Sequence, residues 1–299
     1  MAPTRRNRIS LLAIIFLSAF LPAGSIAAAQ EEVPDLSGLC ADIEREYSID
    51  IERDVEGILW AYDRIERVYP ESDTAGRKAI LSCLKKAFAV RPSESTLSFQ
   101  KRAAECLTTM GKPGLSILLS GLKNRTLVPR DDEDEEAVAA CLTVRAVIIE
   151  AVGACKNLKT IKLLYKHLAE SDARIIGAAA RALAHFHELP LQKRKPIVEV
   201  LIKRYSNLAT EGKVTGRKAH EGGRRRGKDG DHAKLFDASP ALNEALRKLT
   251  GQMHYTAALW KAWYKGHKNE KEWEPDESEG SRPVRCPVTG KSGNGTSRR

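Results

Sequence analysis

Val144-Arg145-Ala146-Val147-Ile148-Ile149-Glu150-Ala151-Val152-Gly153 decides the fold, because this Ala-rich apolar run closes on a small residue and has counterparts on both sides. The counterparts close at Gly111 and at Ala184, so the three closing residues are 42 and then 31 positions apart. These two spacings lie close to the length of one two-helix unit in a repeat protein. An array of such units is typical of a scaffold in which each unit packs only on its neighbours.

Apolar residues recur at helical spacing through most of the remaining chain. One stripe comprises Ile51, Val55, Ile58, Leu59, Tyr62, Ile65 and Tyr69, and Pro70 ends it. Gly111-Lys112-Pro113-Gly114 predicts a hinge, since Gly ends helices and Pro begins them. No run of alternating apolar residues predicts a strand. We therefore predict an all-α chain, with helical repeats over residues 33–208 and capping helices over residues 239–274.

Two motifs resemble a known family. Val144-Arg145, the run to Gly153 and then Leu158-x-x-Ile161-x-x-Leu164 are similar to a HEAT repeat, with degenerate copies over residues 51–208. Leu249-Thr250-Gly251-Gln252, followed by Trp260 and Trp263, resembles the end of secreted HEAT-repeat proteins of environmental bacteria such as planctomycetes. Ile176 departs from the pattern where an Arg is usual. The resemblance implies a HEAT/armadillo-like solenoid with a tendency to bind proteins, and it implies no reaction.

The first 29 residues have the pattern of a secretory signal peptide. Arg5, Arg6 and Arg8 precede an apolar run over residues 9–21, and Ala27-Ala28-Ala29 offers a cleavage site before Gln30. The run is shorter than the about 20 residues of a membrane helix, which makes a signal anchor the weaker alternative. Arg5-Arg6 leaves twin-arginine export open. We expect a periplasmic or extracellular protein without stable membrane insertion after signal removal, because no later segment reads as a membrane span.

A Gly-rich basic segment interrupts the predicted helices. The formal charge of the chain is +10, and loss of three signal-peptide arginines leaves +7 (10 minus 3). Residues 209–238 have few apolar side chains to bury, so we predict a disordered loop there and a disordered tail over residues 275–299. The candidate polyanion contacts in the loop are Lys213, Arg217, Lys218, Arg224, Arg225, Arg226 and Lys228. No aromatic residue lies among them to stack bases, so a solvated loop is the first interpretation and polyanion binding the alternative.

Cys83 and Cys106 flank the turn at residues 91–95 at nearly equal distances. Antiparallel helices would bring these two cysteines level, and exported proteins form disulfides. The spacing therefore predicts a Cys83–Cys106 disulfide. The alternative is that both are small buried apolar residues.

Trp260, Trp263 and Tyr264 form an aromatic group near the end of the last predicted helix. Trp260 and Trp263 are three residues apart, so both address one surface. A terminal cap that covers the last repeat is the first interpretation. A shelf for a ligand is the alternative.

Catalytic and metal-binding patterns are absent from the sequence. It contains neither HExxH nor CxxC, and the rings of His185 and His187 would point to different helix faces. We predict no catalytic, cofactor-binding or metal-binding residues. The predicted function is an exported, non-enzymatic scaffold that binds a protein partner. The alternatives are a polyanion binder and, less favoured, a HEAT-like enzyme.

Overall fold

The computed structural model describes residues 55–219 and 230–273, and these residues form ten α-helices and no strand. The all-α prediction is therefore confirmed for this part of the chain. The helices are α1 (Val55–Val68), α2 (Thr74–Ala87), α3 (Glu94–Thr109), α4 (Gly111–Gly121), α5 (Glu135–Ala154), α6 (Ile161–Leu168), α7 (Ala173–Ala184), α8 (Leu191–Ala219), α9 (Gly230–Thr250) and α10 (Ala257–His267). Short 3₁₀ turns at Arg125–Leu127 and Leu158–Thr160 precede α5 and α6. The predicted signal peptide, residues 33–54 of the repeat range and the tail lie outside the described residues.

Side-chain caps begin several of the helices. The carboxylates of Asp73 and Asp134 accept hydrogen bonds from the backbone N–H of Gly76 (2.7 Å) and Ala137 (2.8 Å). Each bond satisfies one of the backbone donors that a first helical turn leaves without a partner. Asp134 belongs to the acidic run at residues 131–136, so part of this run serves to start α5.

The helices pack in two sets. Consecutive odd-numbered helices contact one another from α1 to α9, and among the even-numbered helices α2 contacts α4, α6 contacts α8, and α8 contacts α10. Each set contacts the other through hairpin pairs such as α3 with α4 and α8 with α9. The buried apolar residues form one core cluster that extends from Ala61 to Trp273. We call the surface of the odd-numbered helices the odd-helix face.

Gly153 lies where α5 approaches α7. A Cβ atom at this position would lie 2.4 Å from the Cα atom of Ala182 and 2.5 Å from its carbonyl oxygen. Helices that approach this closely need a residue without a side chain at the contact. The small residue that closes the stretch 144–153 is therefore explained by the α5–α7 packing.

Helix α5 corrects the expectation that no later segment is apolar enough to span a membrane. Its 20 residues satisfy the length and composition of a spanning helix, and half of its most apolar 18-residue stretch is buried inside the protein. A core helix of a folded domain satisfies the same two criteria. Val144, Ile148, Ile149 and Val152 of α5 are buried in the core cluster, which accounts for its composition.

The predicted disordered segment 209–238 is too long at both ends. Helix α8 continues to Ala219 and α9 begins at Gly230, so only residues 220–229 of this segment lie outside the described part of the chain. Ala238 is fully buried, and Ala209 and Leu235 pack against the core. These few apolar residues pack the end of α8 and the start of α9 against the core. The prediction missed them because it rested on the low apolar content of the whole segment.

Candidate binding surfaces

Ion pairs connect neighbouring helices of the odd-helix face. The Arg102 guanidinium of α3 contacts the carboxylates of Asp63 (2.7 Å) and Glu66 (2.6 Å) of α1. Arg181 Nε of α7 lies 2.8 Å from Glu150 Oε2 of α5. In all three pairs, the arginine contacts an acidic residue of the preceding odd-numbered helix. The pairs are partly exposed, so they pattern the charge of this face and add little stability.

A groove opens on the odd-helix face between α5, α7 and α9, which we call the α5–α7–α9 groove. Its cavity volume is about 290 Å³. The lining residues are Thr143, Ala146, Val147, Glu150, Ala173, Arg174, Gly177, Arg181 and Asp237. Small and apolar side chains thus lie beside charged groups of both signs in this groove.

Arg145 of α5 contacts the turn between α6 and α7 rather than a neighbouring odd-numbered helix. Its guanidinium lies 3.2 Å from Glu170 Oε1, and His167 Nδ1 lies 2.7 Å from the same oxygen. Arg204 of α8 donates a hydrogen bond to the backbone carbonyl of Glu170 (2.8 Å). Glu170 therefore connects α5 and α8 to the turn between α6 and α7.

Trp260 is fully buried, whereas Trp263 and Tyr264 are half-buried against the core. Helix α10, which carries all three residues, contacts α8. The hydroxyl of Tyr264 is 3.4 Å from the carbonyl oxygen of Lys195 in α8. The burial of Trp260 is as expected for a residue of a terminal cap. Trp263 and Tyr264 stay partly accessible.

Three further residues organise this region and were missed by sequence reasoning. Asn243 Oδ1 accepts a hydrogen bond from Trp260 Nε1 (2.9 Å), and His254 packs edge-on against Trp260 at a ring distance of 4.7 Å. Trp273 packs against Trp263 at 5.2 Å. Trp273 follows Trp260 and Trp263 in the sequence, and this spacing could have indicated that it belongs to the same aromatic group. Nothing in the sequence distinguishes Asn243.

Cys83 and Cys106 are both buried and are not joined by the disulfide that their spacing predicts. Cys106 Sγ faces the carbonyl oxygen of Tyr62 in α1 (3.7 Å), so it lies at the α1–α3 contact, whereas Cys83 belongs to α2. Burial raises the pKa of the Cys106 thiol to about 12. The structure thus places Cys106 as a buried small residue.

The candidate polyanion contacts fall into two parts of the chain. Lys213, Arg217 and Lys218 lie within the last turns of α8. Arg224, Arg225, Arg226 and Lys228 lie outside the described residues.

Residues 55–219 and 230–273 contain no group of three or more His, Cys, Asp or Glu side chains that could hold a metal ion. Burial lowers the pKa of His185, which therefore stays neutral at pH 7. The raised pKa of Cys106 keeps its thiol protonated, and a protonated thiol is a poor nucleophile.

No protein-family model matches the chain, and neither a curated protein nor a solved structure matches it significantly.

Proposed function

We propose that this protein is an exported, non-enzymatic scaffold of HEAT-like helical repeats that binds a protein partner through its odd-helix face. The observation that carries the proposal is the consecutive packing of α1, α3, α5, α7 and α9, which lines up one helix of each hairpin. Repeat proteins of this kind use such rows as extended binding surfaces. The signal-peptide pattern of residues 1–29 supports export to the periplasm or the outside of the cell.

The α5–α7–α9 groove is the part of this face that best fits a partner segment. Its floor includes Gly177, where an added Cβ would meet Ala241 Cβ at 3.4 Å, so the helices themselves form the base. Phe236 is 81% exposed beside Asp237 at the edge of the groove. Aromatic residues are enriched in protein interfaces, so Phe236 is the first residue to test as an anchor.

A blocking substitution tests the proposal. Thr143→Arg places a long side chain over the groove, and Ser120→Arg adds the same side chain near α2 on the other set of helices. Mature protein carrying either change is used for affinity capture from the exported fraction. We expect Thr143→Arg to weaken capture of a specific partner about tenfold, equivalent to about 1.4 kcal/mol, and Ser120→Arg to leave it unchanged. Equal capture by both variants would exclude the groove.

Polyanion binding is the second candidate function, favoured by the basic residues that follow α8. Binding dominated by charge weakens steeply with salt, because counterions are released on binding. Replacing Arg224, Arg225 and Arg226 by Ala should then reduce heparin retention and its salt dependence. The matched control replaces three exposed lysines of the α6 region by Ala, namely Lys159, Lys162 and Lys166. Equal effects of the two triple variants would show that overall charge, rather than this segment, is responsible.

A further inference from the structure

The chain after α10 folds back to form a pocket. Trp273 Nε1 donates a hydrogen bond to the carbonyl oxygen of His267 (3.1 Å), and Lys195 of α8 donates to the carbonyl oxygen of Glu270. These bonds hold residues 268–273 against the end of α10 and against α8. The resulting cavity has a volume of about 340 Å³ and is lined by Gln252, Trp263, His267, Glu270, Glu272 and Trp273. We call it the C-terminal pocket.

Three of its six described lining residues carry aromatic rings, namely Trp263, His267 and Trp273. The His267 ring stacks on Trp263 at 5.1 Å and 16°, and Trp273 packs on Trp263 at 5.2 Å and 63°. Trp273 is 8% exposed, so its ring is held in place rather than free in solvent. Fixed ring faces carry a negative quadrupole and attract cations within about 6 Å.

The described Asp, Glu, Lys and Arg residues of the lining have one sign. Glu270 and Glu272 supply carboxylates, and no Lys or Arg is among the described residues that line the pocket. The ammonium of Lys195 is directed to the Glu270 carbonyl. His267 Nδ1 lies 2.7 Å from the Trp263 carbonyl oxygen, which only accepts, so Nδ1 carries the proton. His267 Nε2 lies 4.0 Å from Glu270 Oε1.

We propose that the C-terminal pocket binds an organic cation of the ammonium or guanidinium type. Aromatic faces and two carboxylates both favour positive charge, and an anion would be repelled by the same carboxylates. The cavity lies at the lower end of the volumes of small-ligand sites, so it suits a compact head group or one basic side chain. A free small cation and an arginine or lysine side chain of another polypeptide present the same chemistry to the pocket.

The test follows the indole N–H signals of Trp263 and Trp273 by NMR in the mature protein. Tetramethylammonium represents a free cation, and N-acetylarginine amide represents a side chain. Their neutral counterparts are tert-butanol and N-acetylcitrulline amide. Trp60 serves as an internal control, because it is exposed and belongs to α1. We expect saturable shifts of the Trp263 and Trp273 signals with at least one cation and none with its neutral counterpart.

Charge removal supplies the matched variants. The double change Glu270→Gln and Glu272→Gln should weaken cation binding roughly three- to tenfold, since both carboxylates act on the same ligand. Glu105→Gln is the control, because the Glu105 side chain is 48% exposed and that of Glu270 47%. The thermal midpoint of each variant verifies folding. Stronger binding of arginine amide than of tetramethylammonium would identify a polypeptide side chain as the source, and the reverse order a free cation.

Two results would overturn the proposal: equal binding of the neutral counterparts, as expected for a sugar-type or purely apolar site, or no saturable shift with either cation. The groove variant Thr143→Arg should leave cation binding unchanged. The proposal of cation binding in the C-terminal pocket and the proposal of partner binding in the α5–α7–α9 groove can therefore be tested independently.

Discussion

Gly153 and Gly266 both lie within helices, but only one of them is required by packing. At Gly153, the backbone of Ala182 occupies the place of a side chain, whereas a Cβ atom at Gly266 would have no neighbour within 4 Å. A clash with backbone cannot be relieved by a change of rotamer, so the helices themselves would have to separate. Gly153 is therefore required by packing, and Gly266 only lowers helix propensity.

Substituting alanine at each glycine should change stability in opposite directions. We expect Gly153→Ala to lower the free energy of unfolding by about 1–3 kcal/mol, because overpacking exceeds the propensity gain of about 1 kcal/mol. Gly266→Ala should raise it by up to about 1 kcal/mol. Urea denaturation of the two variants and the wild type measures both effects. Similar stability of the two variants would show that α5 and α7 do not approach as closely as described.

At the scale of elements, α10 completes the even-numbered set by covering α8. Trp260 carries most of this packing, since it is fully buried and its indole N–H is satisfied by Asn243. Its removal leaves a cavity and an amide without its partner. The stability of α10 is thus tied to α9, where Asn243 resides, as well as to α8.

Trp260→Ala should lower the free energy of unfolding by about 3–5 kcal/mol. Trp60→Ala is the matched control, because Trp60 is 56% exposed and its cation–π contact with Arg64 is worth only about 0.5–1 kcal/mol. Urea midpoints decide between a cap and a shelf for a ligand. A near-zero shift for Trp260→Ala would falsify the cap.

The start of α7 depends on a charged cap. Asp172 accepts hydrogen bonds from the backbone N–H of Arg174 (3.0 Å) and Ile175 (3.4 Å), and its carboxylate lies 3.1 Å from the Arg174 guanidinium. Partial burial on its own would raise the pKa of Asp172, but the bonds and charge of Arg174 outweigh it and leave this pKa below its ordinary value. The ionised form is therefore favoured in the folded protein.

A depressed folded pKa stabilises the protein above the unfolded value of about 3.9, and this stabilisation is lost as the pH falls through the folded value. Asp172→Asn keeps a capping oxygen and removes the charge. Between pH 6 and pH 3, the wild type should lose more stability than Asp172→Asn, because protonation removes the stabilising charge of Asp172. Urea midpoints at the two pH values measure the difference. Parallel losses would mean that the ionisation of Asp172 does not contribute.

At the scale of the whole molecule, the predicted signal peptide and the described core occupy different parts of the chain. The signal pattern occupies residues 1–29, whereas the core cluster runs from Ala61 to Trp273. Removing the first segment therefore takes nothing from the described core.

Processing should follow from the small-residue site at Ala27-Ala28-Ala29. We expect N-terminal sequencing of the exported protein to begin at or next to Gln30. A cleavage-site variant, Ala29→Arg, should accumulate unprocessed, because signal cleavage requires small residues there. Recovery of intact wild-type chains starting at Met1 in the membrane fraction would instead indicate a signal anchor.

The helical class and most helix positions follow from local rules. Apolar spacing, caps and Gly-Pro hinges each act within a few residues, so the sequence alone determined these features. It also singled out Gly153, although not the reason for it. The ends of α8 and α9 escaped prediction because their few apolar residues gain burial only against distant helices.

Tertiary structure alone decided which residues meet. Lys195 and Glu270 are 75 positions apart, and the C-terminal pocket exists because α8 and the segment after α10 are brought together. Cys106 faces α1 rather than Cys83, since helix rotation within the packed array sets its direction. Such contacts depend on crossing angles and on summed packing across several helices. Periodicity indicates which face of a helix is buried, but only the packed array selects the neighbour on that face.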